Sequence, residues 1–341
     1  MKKTLIASAI AAISFSGVAL AQDSNMPTVY GNIQYAVTHT DVENGSSEVS
    51  HFDNGSTIGL KHEHEVSPGI TAFLKLELEG ISADNKAGNK NSTLVDGPKV
   101  GEDNGGLNEL DEAYIGIKGD SFGQIWVGSD DSQYEQLIGG VVQYYEVAAL
   151  SSSLDYTTGE GDLVQYVSPS FGGLTLHGAV AIQGDGDDQY DGKAYPYQLG
   201  AKFAVDAVTI AFAMDSNDGD TNSSENTYGV NVYADVLDNM TVGALYSMRG
   251  AKGDGTVSGT EGQNNAQIYA RYNLGANGFA ASYEMSEQDK GDNDVSVLTL
   301  QAVHNVSDNL YVYTEGYLRN DDKGASDADT TQLALGAVYY F

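Results

Sequence analysis

The sequence predicts an all-β fold: a transmembrane antiparallel β-barrel of sixteen strands, with short turns at one end and long loops at the other. Three observations predict it. Apolar and polar residues alternate with period two through most of the chain. The alternating segments are separated, in strict succession, by a tight turn and then by a long acidic connection. The chain opens with an export signal, and beyond it no run of 18 apolar residues occurs, so no helix is expected to span a bilayer.

Residues 1–21 read as a cleaved signal peptide. Lys2 and Lys3 form its charged head, Leu5 to Leu20 its apolar stretch, and Ala19-Leu20-Ala21 its cleavage site. Ser8, Ser14 and Ser16 and the short length argue against a membrane anchor. Residues 22–341 are then one barrel domain. Its first strand is expected around Val29, Ile33, Tyr35 and Val37, and another at Ile70, Ala72, Leu74, Leu76 and Leu78. Further strands carry Tyr197, Leu199, Ala201 and Phe203; Val208, Ile210, Phe212 and Met214; and Met240, Val242, Ala244, Tyr246 and Met248. In the last strand Leu333, Leu335, Ala337, Tyr339 and Phe341 share one face, and Ala334, Gly336, Val338 and Tyr340 the other.

Tight turns are expected at 67–69, 119–122, 168–170, 205–207, 237–239, 274–277 and 307–309, each containing Gly, Pro, Asn, Asp or Ser. Seven turns make seven hairpins; the first and last strands, paired by ring closure, bring the count to sixteen. Long connections are expected at about 39–55, 80–108, 129–162, 183–195, 215–226, 249–264, 286–293 and 319–331. That leaves about 20 residues per strand and connection, enough for tilted spanning strands of ~9–11 residues. A soluble sandwich shares the alternation, but not the even count, the export signal or the aromatic residues near strand ends. In hydrocarbon every backbone N–H and C=O must be paired internally, so a sheet survives there only as a closed barrel.

Composition narrows the function. With 48 Asp and Glu against 16 Lys and Arg, the formal charge is −32, which opposes any nucleic-acid backbone. The absence of Cys removes disulfides, thiolate metal sites and cysteine nucleophiles. No G-x-S-x-G elbow or H-E-x-x-H pair occurs, so no catalytic residue and no cofactor is expected.

Over essentially the whole mature chain the sequence resembles the general porins of Gram-negative outer membranes. The resemblance is carried by Val29-Tyr30-Gly31, Thr57-Ile58-Gly59-Leu60-Lys61, Tyr114-Ile115-Gly116-Ile117-Lys118-Gly119, Phe122-Gly123-Gln124-Ile125-Trp126-Val127-Gly128, and the run from Val164 to Leu174. Tyr339 and terminal Phe341 resemble the signal read by the barrel-assembly machinery. The resemblance implies a passive, multi-pass outer-membrane diffusion channel for small hydrophilic solutes. It also implies a homotrimer set among outer-membrane lipid and lipopolysaccharide, with the third loop folded into the lumen.

That loop, about 129–162, carries Asp130, Asp131, Glu135, Glu146, Asp155, Glu160 and Asp162 and no Lys, Arg or His. With apolar residues facing lipid, Lys61, Lys75, Lys118, Lys202 and Arg271 point inward, and a turn at Pro68 sets Lys61 opposite Lys75. These are the candidates for a basic wall. Where the family commonly has arginines, this chain has Thr57, Ser129 and Val167. An acidic loop facing few cations should concentrate cations in the pore, so cation preference is expected. Rival readings are a substrate-selective channel, a surface adhesion or docking protein with incidental conductance, and, last, an outer-membrane enzyme.

His62 and His64 share a strand face at a spacing that can chelate metal, but on the lipid side; no metal role is assigned. Asp185 to Gly192, and Asp215 with Asp218 and Asp220, resemble fragments of calcium loops without the full spacing.

Overall fold

Alternating side chains let one sheet present an apolar face and a polar face, and a sheet of this length removes its edges only by closing on itself. The computed structural model describes residues 26–83, 109–139, 144–148, 161, 163–183, 194–218, 225–251, 261–289, 294–322 and 328–341. The expected signal peptide lies outside them. Among the described residues the strands are β1 (Thr28–Val42), β2 (Ser47–Asp53), β3 (Ile58–Ser67), β4 (Ile70–Glu79), β5 (Glu109–Gly119) and β6 (Gly123–Ser129). After one short helix, α1 (Gln133–Ile138), come β7 (Leu163–Val167), β8 (Leu174–Ala181), β9 (Tyr197–Val205), β10 (Val208–Asp215) and β11 (Thr227–Leu237). The remainder are β12 (Met240–Arg249), β13 (Gln263–Leu274), β14 (Asn277–Gln288), β15 (Asp294–Asn305), β16 (Leu310–Asp322) and β17 (Ala328–Tyr340).

Each strand pairs antiparallel with its neighbours, and β17 pairs with β1 to close the ring. Both β2 and β3 pair with β1, in consecutive registers, so they are two halves of one stave interrupted at residues 54–57. The barrel therefore has sixteen staves, as expected. All seven expected tight turns are present as strand connections. No helix among the described residues is long and apolar enough to cross a membrane.

Two connections differ from expectation: 319–331, where β16 runs to Asp322 and β17 starts at Ala328, and 39–55. The span 39–55 is mostly strand: β1 runs to Val42, β2 starts at Ser47, and the turn between them is tight. Thr38, Thr40 and Ser50 belong to a ladder that stays paired in register from Tyr35 opposite Asp53 to Asp41 opposite Ser47. Backbone pairing continues past the apolar band because hydrogen bonding in a ladder does not require an apolar side chain.

The two faces separate as the alternation demands. Outward residues such as Val29, Ile268, Leu300 and Leu335 are more than half exposed, while their inward neighbours Gln267, Thr299 and Ala334 are buried. An apolar outside and a polar inside invert the soluble arrangement, and this is the arrangement a bilayer stabilises. His62 and His64 stack on each other, ring centroids 5.3 Å apart, on the outer face beside Leu74, Ile115 and Val127. Among the described residues no group of three or more His, Cys, Asp or Glu is placed to hold a metal ion. Asp215 is buried, and its carboxylate accepts from Gln198 Nε2 at 2.6 Å and from the Asn217 N–H at 2.7 Å. The stretch Asp185–Gly192 and Asp220 lie outside the described residues.

Candidate pore constriction

The third long connection begins where the wall is low. Strands β6 and β7, with 7 and 5 residues, are the two shortest staves, so the chain leaves the sheet partway up and turns inward. Trp126 on the inner face donates its indole N–H to Asp130 at 2.6 Å, which fixes the exit. Ser132 then caps α1, its hydroxyl accepting from the Glu135 N–H at 3.2 Å.

Helix α1 buries Gln133, Tyr134, Leu137 and Ile138. Tyr134, Leu137 and Ile138 pack on Ala211, Ala213 and Leu245, inward residues of β10 and β12. The fit needs a bare backbone on the wall: a Cβ at Gly229 would lie 2.6 Å from Tyr134 Oη and 2.8 Å from Ile138 Cγ2. Polar groups complete the seat. Tyr134 Oη bonds Ser247 Oγ at 2.7 Å, the Tyr134 N–H donates to Gln198 Oε1 at 2.8 Å, and Gln133 Nε2 donates to Gln165 Oε1 at 2.6 Å.

A second piece of the same connection, residues 144–148, docks on another part of the inner wall. Glu315 of β16 accepts from the N–H of Glu146 at 2.7 Å, of Val147 at 3.0 Å, and from Gln301 Nε2 at 2.8 Å. Tyr317 Oη accepts from the Ala148 N–H at 2.9 Å and donates to Glu315 at 2.7 Å. Tyr145 donates to Ser282 at 2.9 Å, and Glu146 accepts from Tyr311 Oη at 2.8 Å. The described parts of the connection thus touch β8 to β12 through the helix and β14 to β16 through this segment, two separate regions of the inner wall. Asp155, Glu160 and Asp162 lie outside the described residues.

The candidate acids fall in two places. Asp130, Asp131 and Glu135 stand at the loop's root, and Glu146 at its far anchorage. Burial raises the Asp130 carboxyl to about 6, with Glu112 adding to the rise and the Trp126 N–H opposing it. Asp131 is raised by burial and by Glu135. Glu146 is raised to about 7 by burial, with its Tyr311 hydrogen bond opposing and Glu315 reinforcing.

The candidate cations all face inward, and two of them are ion-paired. Lys75 pairs with Glu112 and, at 3.5 Å, with Glu77. Lys118 pairs with Glu63 at 2.6 Å. Lys61 stands 5.3 Å from the centre of the Tyr30 ring, and Arg271 lies 5.6 Å from that of Tyr144. Lys61, Lys75 and Lys118 sit on β3, β4 and β5, the staves beside the loop's root. Tyr30 donates its hydroxyl to Glu77 on the same wall.

The sequence reading missed the acids of the wall itself. Glu77 and Glu79 alternate with Leu76 and Leu78, so period two could have found them. Asp111 could not be found that way. A register shift between Glu77 and Leu78 leaves Asp111 as the extra residue on β5, a β-bulge, and its carboxyl meets that of Glu77 beside Glu112. Glu77, Glu112 and Asp131 thereby lie around Lys75, and Glu79, Asp111 and Asp130 extend the acidic group through Glu77 and Glu112.

At the ring's seam Phe341 and Gly31 exchange backbone hydrogen bonds of 3.0 and 3.2 Å, and Tyr339 and Phe341 point outward, about half exposed.

A closed sixteen-stave barrel with an apolar outside and an inward loop defines an outer-membrane channel. A family model described as Gram-negative porin matches residues 7–323, and the chain belongs to that family. It is an outer-membrane diffusion porin. Over 395 aligned positions it is 28% identical to a monosaccharide porin of Halomonas sp, covering all of both chains. It is 24% identical to a major outer membrane protein of Pasteurella multocida strain Pm70, over 99% of this chain and 89% of that protein. Its fold matches Salmonella typhi OmpF (TM-score 0.70, 18% identity, 94% of this chain and 98% of that one). It also matches an anion-selective porin from Comamonas acidovorans (TM-score 0.66, 15% identity, 93% and 99%).

Proposed function

We propose that this porin passes small hydrophilic solutes by passive diffusion, with the connection at about 129–162 as its constriction, and that it favours cations. The observation that carries the preference is the chain of six carboxyl side chains on β4, β5 and the loop's root, of which Glu77, Glu112 and Asp131 lie against Lys75, with Lys61 as the neighbouring ammonium over the same Tyr30 ring. Lys61, Lys118 and Arg271 form the remaining basic lining. Negative groups in a narrow, low-dielectric frame raise the local cation concentration. The barrel alone carries no such information, since the same fold serves an anion-selective porin. The test is the reversal potential of the purified protein in a planar bilayer under a KCl gradient. The sign for excess cation permeability is expected; anion preference or none at all rejects the reading. The preference should shrink as salt is raised, because screening shortens the reach of exposed charge.

A second reading is selectivity for neutral sugars, suggested by the name of the Halomonas relative. What favours it is the amide- and hydroxyl-rich stretch of the inner wall on β13 to β15, where Asn265, Gln267 and Thr299 are buried with polar atoms that lack a hydrogen-bond partner, beside the charged Glu284 and Arg271 of the same wall. Saturable block of ion current by glucose, and none by a salt of equal osmolarity, would support it. Family membership further supports a homotrimer, a cleaved signal at 1–21, assembly through a Tyr339–Phe341 signal, and contact with lipopolysaccharide.

A further inference from the structure

On the inner face of β13 one cation stands apart from the acidic wall. Arg271 is half-buried, and among the described residues no ion pair reaches it. Its Nε is covered and has no hydrogen-bond partner there. Its guanidinium lies 5.6 Å from the centre of the half-buried Tyr144 ring, which meets Tyr269 edge-on with centroids 5.4 Å apart, and Tyr233 packs on the same aromatic group. The acids on either side of Arg271 in its row are taken by other donors: Asp235 accepts the Thr241 hydroxyl at 2.6 Å, and Glu315 accepts Gln301 Nε2 at 2.8 Å. Beside it β14 turns only Ala280 and Gly278 inward. Glu77 and Glu112 are remote, because β13 stands eight staves from β5, half-way round the ring.

We propose that Arg271 and Tyr144 form a docking step for a carboxylate carried on a ring with a flat apolar face, whether that ring is a sugar or an aromatic one. A guanidinium is a planar fork of donors that matches the two oxygens of a carboxylate. A half-covered cation with no anion of its own has lost water without gaining a partner, and a carboxylate arriving from the lumen supplies one. The phenol ring 5.6 Å away gives the rest of the solute a flat, amphipathic face to lie on. Two points of contact at a fixed separation sort solutes by class. Acetate has the carboxylate without the ring, and glucose the ring without the carboxylate.

The acidic wall does not cancel the attraction. Screening confines an exposed charge to about 8 Å at ~0.15 M salt, and that wall is half the ring away. A pore that favours small cations on one side therefore still holds a ring carboxylate on the other. The inference rests on the chain being a conducting pore, and not on which ion that pore favours.

The experiment is current block of the full purified protein in a planar bilayer, in ~0.15 M KCl at pH ~7, where carboxylates are ionised. Potassium glucuronate, benzoate and acetate, and then glucose, are added in separate runs. Glucuronate or benzoate should block saturably, with a half-blocking concentration at least about tenfold below those of acetate and glucose, and the tighter of the two identifies the ring. Arg271→Gln should still form channels but raise that concentration about tenfold, and Arg271→Lys, which keeps the charge without the fork, should fall between. Tyr144→Leu should erase the advantage over acetate. Wild-type channels blocked equally by acetate or by glucose, or Arg271→Gln channels blocked as tightly as the wild type, overturn the step. Failure to form any channel would strike the reading of the chain as a pore, and the step with it.

Discussion

Individual side chains here act by where they leave charge and space. Asp111 is one residue out of register, and that slip turns an alternating strand into one with adjacent acids on the pore side. Glu112→Gln with Asp131→Asn should lower the cation-to-anion permeability ratio, read as a reversal potential closer to zero in the same gradient. The double change leaves Lys75 with less negative charge around it, so its own field acts on passing ions. Gly229 acts through absence. Gly229→Val would put atoms where Tyr134 and Ile138 already are, at a cost of about 1–3 kcal/mol if the helix stays and a shifted helix if it does not. A lowered denaturation midpoint or an altered, broader conductance distribution would report one or the other. Tyr134→Phe removes only the bond to Ser247 and should cost about 1 kcal/mol with conductance little changed.

At the scale of elements, each strand answers to two solvents. Leu300 on the outer face of β15 is 55% exposed, and its inward neighbour Thr299 is fully covered. Leu300→Arg should cost about 2–4 kcal/mol if it lies near the bilayer midplane. A substitution such as Lys202→Gln on the inner face of β9 should stay within about 0.5 kcal/mol. Denaturant refolding into lipid vesicles distinguishes the two; equal midpoints would mean that the outer face does not meet hydrocarbon. The strands also outrun the bilayer: β13 to β17 have 12 or 13 residues, longer than the ~9–11 needed to span. Their extra length stands at the loop end, where paired backbone needs no apolar cover. For the same reason the expected loop at 39–55 is mostly a ladder. The connection after β6 obeys the converse rule, since two short staves let the chain leave the wall early and seat α1 on the inner face.

For the whole molecule, closure between β1 and β17 removes the last free edges, and a net acidic chain then surrounds an aqueous passage. The barrel, its sixteen staves, its seven tight turns and the inward direction of Lys61, Lys75, Lys118 and Arg271 were legible in the sequence. All follow from period two and turn chemistry, which are local properties of a few neighbouring residues. Glu77 and Glu79 were legible by the same rule, although the reading gave its weight to the loop. The bulge at Asp111, the seat of α1 on Gly229 and Leu245, and the grip of Glu315 on the loop 169 residues upstream were not. Each depends on distant segments meeting, and no periodicity within one segment records which segment it will face. The sequence by itself determined the wet side of the regularly alternating strands; only the tertiary structure decided what stands across the water, because that depends on distant segments meeting inside the ring.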